Sequence, residues 1–198
     1  MLAVVAVVSC GGHGSGTPQC KCIMPQGVQL CEGDVVMRSG GGVTSHAVMI
    51  ADGNGAYSHV GIVADSAGVL VIVHAVPDEP DFEGDVDRVK MDSVERFFSS
   101  VNAEHGEVLR HNDSTAARAA ARCAVEIYRR HTLFDHDYDE KDTTRMCCTE
   151  LVTFSFSKAG APLTGVERHR LRVLNVSTDC AFPSDILHCA DFKSVIKF

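Results

Sequence analysis

Residues 57–76 read YSHVGIVADSAGVLVIVHAV, the longest β-like segment of the chain. Two runs rich in Val and Ile flank the turn letters DSAG, a pattern that predicts an antiparallel β-hairpin. If the turn is centred just after Ser66, His59 lies directly across from His74. The Cβ atoms of such a pair are about 4.5–5.5 Å apart, so one imidazole could hydrogen-bond and orient the other.

The histidine pair has a plainer interpretation that the sequence leaves open. A single strand histidine is more often a satisfied structural residue than a functional one. The predicted pairing also depends on register, because a slip by one residue would place the two rings on opposite faces of the hairpin.

A second candidate lies on the predicted helix from about Cys147 to Ala159, which Gly160 and Pro162 end. One face of this helix should press on the sheet, and it carries Cys148, Leu151, Val152, Phe156 and Ala159. With this face turned to the sheet, the helical repeat predicts that Cys148 points inward and Cys147 does not. The helix N-terminus and a neighbouring imidazolium would favour a Cys148 thiolate. Spacing alone leaves open that Cys148 is a small buried apolar residue.

Four short motifs carry a resemblance to a known family. In chain order they are Gly33-Asp34-Val35-Val36, Tyr57-Ser58-His59-Val60-Gly61-Ile62-Val63, Val73-His74-Ala75 and Cys148-Thr149-Glu150-Leu151-Val152. This order resembles the YiiX/YaeF-like branch of the NlpC-type papain-like superfamily, whose fold is circularly permuted so that the histidine strand precedes the nucleophile helix.

The resemblance implies a fold and a set of site residues. The expected fold is α+β, with an antiparallel, partly closed barrel-like sheet packed against helices in a single domain over residues 33–198. Cys148 is the implied nucleophile, His59 the implied base, and His74 takes the place of the orienting residue. Glu150, Tyr57 and Thr149 are further candidates for the orienter or for substrate contacts.

The resemblance also implies a cysteine hydrolase of the cell envelope that needs no cofactor. It would cleave an amide bond in a peptidoglycan stem peptide or an N-acyl conjugate through an acyl-enzyme. Its partner would therefore be a small peptide or an acyl-amide. Two alternatives remain: an acyltransferase or thioesterase that acts on acyl chains, and a non-catalytic envelope lipoprotein that uses the same groove for binding.

The first 32 residues suggest a membrane anchor. The apolar run up to Val7-Val8-Ser9-Cys10 resembles a lipoprotein signal over residues 1–10, with Cys10 lipidated. Residues 11–32 would then be a glycine-rich tether and N-terminal extension. An ordinary buried strand or a misassigned start is the alternative for the apolar run.

Composition excludes several other classes. The chain has 198 residues and a net charge of −8 without a basic cluster, which argues against nucleic acid as a partner. No metal site is expected, because the nine cysteines form no CxxC pair and Asp135 begins a calcium-like string that lacks the required Gly and Glu. Disulfide pairing among Cys20, Cys22 and Cys31 stays open.

The remaining segments predict a simple order of elements. Short strands are expected at 35–37, 88–91 and 107–110, with helices at 43–51, 93–99 and from Asp113 or Ser114 to about Arg130. The tail from Leu163 is expected to be irregular apart from late strands near 195–198.

Overall fold

The computed structural model describes residues 20–173 and 176–198. It shows a curled, mainly antiparallel sheet with helices on both faces. The strands are β1 (Val35–Ser39), β2 (His59–Ser66), β3 (Val69–Val76), β4 (Arg88–Ser93), β5 (His105–His111), β6 (Leu133–Phe134), β7 (Arg145–Met146), β8 (His169–Val173), β9 (Val176–Cys180) and β10 (Phe192–Lys197). The helices are α1 (Val43–Ala51), α2 (Val94–Phe97), α3 (Ser114–Arg129), α4 (Cys148–Lys158) and α5 (Pro183–Leu187).

The strand order of the main sheet places the two histidine strands at its centre. Within the described residues the order is β10-β5-β1-β2-β3-β4-β6-β7, and the pairing is antiparallel except between β6 and β7. Helices α3 and α4 pack on one face, where Ala124 and Leu151 join Val60 and Ile62 in the larger core. This confirms the coarse expectation of one α+β domain with a curled sheet packed against helices.

The opposite face of the sheet is covered by aromatic side chains. Phe97 at the end of α2 and the following Phe98 are completely buried against Val36 and Ile72. The N-terminal extension contributes here, because Ile23 N–H donates to the Phe98 carbonyl at 2.8 Å and its side chain packs on the same cluster. Each sheet face thus has a core of its own.

The hairpin forms as predicted, but its register differs by two residues. Ile62 pairs with Val73, and Ser66 pairs with Val69. The turn is therefore centred after Ala67, which has a φ of 55° and is followed by Gly68 at 85°. Positive φ at both central residues matches the twist of hairpin strands. Because an offset of two residues keeps every side chain on its face, the histidines still share one side of the sheet.

Helix α4 confirms one part of the predicted burial pattern and contradicts another. Leu151, Val152 and Phe156 are completely buried, as the apolar stripe predicts. The expectation that Cys147 points away from the interior is wrong, since Cys147 is 3% exposed while Cys148 is half-buried. Cys147 occupies the N-cap position with an extended backbone, so its side-chain direction does not follow the helical repeat.

The tail is more regular than the sequence predicts. A second hairpin, β8 with β9, and the short helix α5 occupy residues expected to be irregular. The hairpin carries few apolar residues and pairs Arg170 with Asp179, whose side chains form an ion pair at 3.0 Å. Cross-strand ion pairs leave no periodic apolar signal in the sequence, which explains the miss.

No helix within residues 20–173 and 176–198 has the length and apolar character needed to cross a membrane.

Candidate active site

The two histidines of the central hairpin are in direct contact. His59 begins β2 and His74 lies near the end of β3, and His59 Nε2 is 2.8 Å from His74 Nδ1. Both rings are buried, and they meet edge to face with their centroids 5.1 Å apart. Since Gly61 would face His74 if the observed register continued, the rings meet diagonally rather than straight across the hairpin.

A carboxylate that the sequence analysis did not single out completes this chain of polar groups. His74 Nε2 lies 3.1 Å from Asp92 Oδ2 on β4, and the Asp92 side chain is 4% exposed. Although burial favours the neutral acid, the hydrogen bond from His74 and the nearby charges of Lys90 and Arg96 together lower the Asp92 pKa. Asp92 is therefore ionised at neutral pH. No local sequence pattern links Asp92 to His74, because the two residues meet only through the pairing of β3 with β4.

Arg38 packs against Phe97, the aromatic residue that contacts both histidines. Its guanidinium donates to the Phe97 carbonyl at 2.8 Å, stacks 4.6 Å from the centre of the Phe97 ring and pairs with Glu79. Phe97 in turn contacts both imidazoles, at centroid distances of 5.7 Å from His59 and 5.1 Å from His74. This packing fixes the rotamers of the histidine pair.

Cys148 lies at the first turn of α4, beside the strand that His59 begins. The backbone groups of Val60, Thr149 and Cys148 itself each lower the pKa of its thiol. His59 and Cys148 line the same cleft, and no hydrogen bond between their side chains occurs in the described part of the chain.

Burial leaves the thiol and the imidazole uncharged at rest. Burial raises the pKa of the Cys148 thiol to about 11, against the opposing effect of the backbone N–H groups. Burial also lowers the pKa of His59 well below its usual value, with Arg38 and His74 acting in the same direction. The expectation of a thiolate held by an imidazolium is therefore corrected: desolvation outweighs the helix terminus at this site.

Cys147 and Thr149 form side-chain contacts at the start of α4. Cys147 Sγ lies 3.2 Å from Thr149 Oγ1, which donates at 2.9 Å to the carbonyl of Ala181. This bond ties the first turn of α4 to the segment after β9 and brings Cys180 to the wall of the same cleft. Thr149 therefore has a structural partner in addition to its place in the cleft.

Two of the predicted reserve residues lie away from the histidines. The Glu150 carboxylate accepts from the Cys147 backbone N–H at 2.6 Å, as in a helix capping box, and borders a different surface cavity. Tyr57 donates to Glu107 at 2.7 Å across the sheet and packs in the larger core. Neither side chain orients His59, whose orienting contact is His74.

The cleft that holds Cys148 and His59 has a volume of about 480 Å³. Its walls come from α1, the segment after β3, the start of α4 and the segment after β9, and its lining is mostly apolar. Val48, Val76, Phe134, Tyr138 and Phe182 are among the lining residues. The charged residues among those that line it are Arg38 and Glu79, which pair with each other, and Asp78.

Metal ligation finds no support in the described residues. Within 20–173 and 176–198, no group of three or more His, Cys, Asp or Glu side chains is arranged to hold a metal ion.

Cys10, the predicted lipidation site, lies outside the described residues.

Comparison with known proteins gives a fold relationship. No family model and no curated protein matches the chain. Among solved structures, the chain is similar to the metalloprotein YiiX from Escherichia coli O157:H7, with a TM-score of 0.65 and 16% sequence identity. The match covers 84% of this chain and 97% of that one. The chain therefore has a YiiX-like fold.

Proposed function

We propose that this chain is a cysteine hydrolase that cleaves amide bonds through an acyl-enzyme. The observation that carries the proposal is the contact between His59 and the buried His74 at 2.8 Å, with His59 and Cys148 lining the same cleft. A nucleophile, a base and a residue that orients the base are the groups that acyl transfer requires. Peptidoglycan stem peptides and N-acyl conjugates are the proposed substrates.

The uncharged resting state determines the order of proton movements. His59 Nδ1 takes the thiol proton as the sulfur attacks the carbonyl carbon, and later gives it to the departing amine. The backbone N–H of Cys148 is the proposed donor to the oxyanion. Water then attacks the thioester and releases the acyl group, with His59 again as the base.

The test is to trap the acyl-enzyme. The full chain is incubated with a set of N-acyl amides and short stem peptides, and intact-mass spectrometry follows the added acyl mass. We expect an adduct on Cys148 in the wild type and none in Cys148→Ala, while Cys180→Ala, which changes another thiol of the cleft, retains it. An adduct that persists in Cys148→Ala would contradict the proposal.

The apolar lining favours acyl chains as part of the substrate, as in a thioesterase or an acyltransferase. A buried methylene contributes about 0.8 kcal/mol, so kcat/KM should rise about fourfold for each methylene until the cleft is full. Val48→Asp should remove this dependence, because Val48 lines the cleft. Ile50→Asp on the same helix is the control, since Ile50 is 70% exposed and is not among the lining residues.

We also propose attachment to the cell envelope through a lipid on Cys10. The support is the sequence alone, namely the apolar run that ends in Val7-Val8-Ser9-Cys10. Expressed from its full gene in a bacterium, the protein should fractionate with membranes, and Cys10→Ser should release it. A wild-type protein that stays in the soluble fraction with Met1 intact would contradict the anchor.

A further inference from the structure

We propose that Asp92 is a positioning residue that selects the tautomers of both histidines and so leaves His59 Nδ1 free to act as the base. The inference rests on the proposed function, because it assigns a role within that reaction. It concerns a residue that touches neither the thiol nor the cleft, and it acts through two successive imidazole rings.

The first step is at the Asp92 end. An ionised carboxylate accepts hydrogen bonds and cannot donate them. His74 Nε2 lies 3.1 Å from Asp92 Oδ2, and both side chains are nearly inaccessible to water, at 0% and 4% exposure. Burial lowers the pKa of His74, against the opposing effect of Asp92, so the ring is neutral at rest. Its proton is on Nε2, since the other tautomer would bring two acceptors together.

The second step passes this choice to His59. A neutral imidazole has one N–H, so His74 Nδ1 is an acceptor once Nε2 carries the proton. His59 Nε2 lies 2.8 Å from that atom and must be the donor. His59 Nδ1 is then left with its lone pair. Through His74, Asp92 thus determines which nitrogen of His59 can accept the thiol proton.

The charged groups around the pair are satisfied elsewhere and do not compete for the imidazole nitrogens. Arg38 pairs with Glu79 and donates to the Phe97 carbonyl. Lys90, which lies opposite His74 on β4, pairs with Asp81 at 2.9 Å. Arg96 lies 3.3 Å from Asp92 Oδ2 and 2.7 Å from Asp81, so it holds the Asp92 carboxylate in place from the solvent side.

The role of Asp92 in the reaction follows from proton balance. When the sulfur–carbon bond forms, the Sγ–H bond breaks and an Nδ1–H bond forms on His59. His59 is then an imidazolium that still donates through Nε2 to His74, and Asp92 remains a carboxylate. The proton leaves with the amine and restores the resting tautomers. Asp92 therefore orients the rings and stabilises the transient positive charge without itself being protonated.

The experiment measures tautomers directly by long-range proton–nitrogen NMR on the full chain with nitrogen-15-labelled histidine. Signals are assigned with His59→Gln and His74→Gln. We expect the wild type to carry its protons on Nε2 in both rings. In Asp92→Leu the acceptor is gone, so His74 should populate the Nδ1–H form and kcat should fall about 10²-fold, with KM little changed.

Two further variants separate positioning from general loss of structure. In Asp92→Asn, Arg96 should hold the amide oxygen at the Oδ2 position. His59 and His74 should therefore each keep the Nε2–H tautomer, and kcat should fall only about tenfold. Asp81→Leu removes the other carboxylate bound to Arg96, and Asp81 contacts neither histidine among the described residues. The tautomers of His59 and His74 in Asp81→Leu should match those of the wild type.

Three results are decisive. An Nδ1–H proton on His74 in the wild type would overturn the inference without any variant. Unchanged tautomers in Asp92→Leu would also overturn it. The tautomers could also shift as expected in a protein that forms no acyl-enzyme. That result would overturn the proposed function while supporting tautomer selection by Asp92, so the two failures are distinguishable.

Discussion

His59 Nε2 lies 2.8 Å from His74 Nδ1 although the observed hairpin register does not place these two residues opposite each other. Gly61 is the residue whose position faces His74, and a Cβ built on Gly61 would lie 3.2 Å from the Cβ of His74. The glycine therefore lets β2 and β3 approach closely beside the histidine pair.

Replacing Gly61 with Ala should disturb this pair and the fold together. The new methyl group would also lie 2.7 Å from Cγ2 of Ile72, which is completely buried. Overpacking of this kind costs about 1–3 kcal/mol of unfolding free energy. Denaturant unfolding should show this loss for Gly61→Ala and a smaller one for Gly42→Ala, where nothing lies within 4 Å of the added carbon and only the N-cap of α1 changes. Equal stabilities would contradict the close packing.

The two histidines should differ in their effect on turnover. His59→Ala removes the proposed base, whereas His74→Ala removes only the group that orients it. We expect a loss of about 10³-fold or more for His59→Ala and a smaller one, about 10–10²-fold, for His74→Ala. Steady-state hydrolysis of one N-acyl amide measures both. The reverse ranking would mean that the roles are exchanged.

The reactivity of Cys148 should increase with pH rather than be high in mild acid. With a pKa of about 11, its thiolate fraction grows about tenfold per pH unit from pH 6 to 9. Cys147 should react more slowly, because its side chain is only 3% exposed and because burial and then Glu150 raise its pKa well above the usual value. Iodoacetamide labelling of Cys147→Ala and Cys148→Ala, followed by mass spectrometry, separates the two thiols. Fast labelling of Cys148 that does not vary from pH 6 to 8 would indicate a preformed ion pair instead.

Glu150 should make the fold less stable as the pH rises. Burial raises its pKa from 4.5 to about 7, so the folded chain retains a proton that the unfolded chain has released. The unfolding free energy should therefore fall between about pH 4.5 and 7, by about 3 kcal/mol at most from this group. Glu150→Gln keeps an acceptor for the Cys147 N–H and should flatten that fall. An identical pH dependence in the variant would contradict the assignment to Glu150.

Local pattern was sufficient to predict most of the elements that surround the site. Alternating β-branched residues predict the hairpin, and the stripe of Leu151, Val152 and Phe156 predicts the buried face of α4, because burial of apolar side chains follows the period of each element. That both histidines share one face also follows, since a register offset by two residues preserves the faces. The motif order further predicts the YiiX-like fold that the structural comparison supports.

The hairpin register, the partner of His74 and the charge state of the site depend on how the whole chain packs. Asp92 lies 18 residues after His74 and meets it because β4 pairs with β3, a contact without any local signal. The direction of Cys147 depends on its extended N-cap backbone rather than on helical spacing. The pKa of Cys148 depends on how much water the packed sheet excludes, and burial and long-range pairing are properties of the assembled chain.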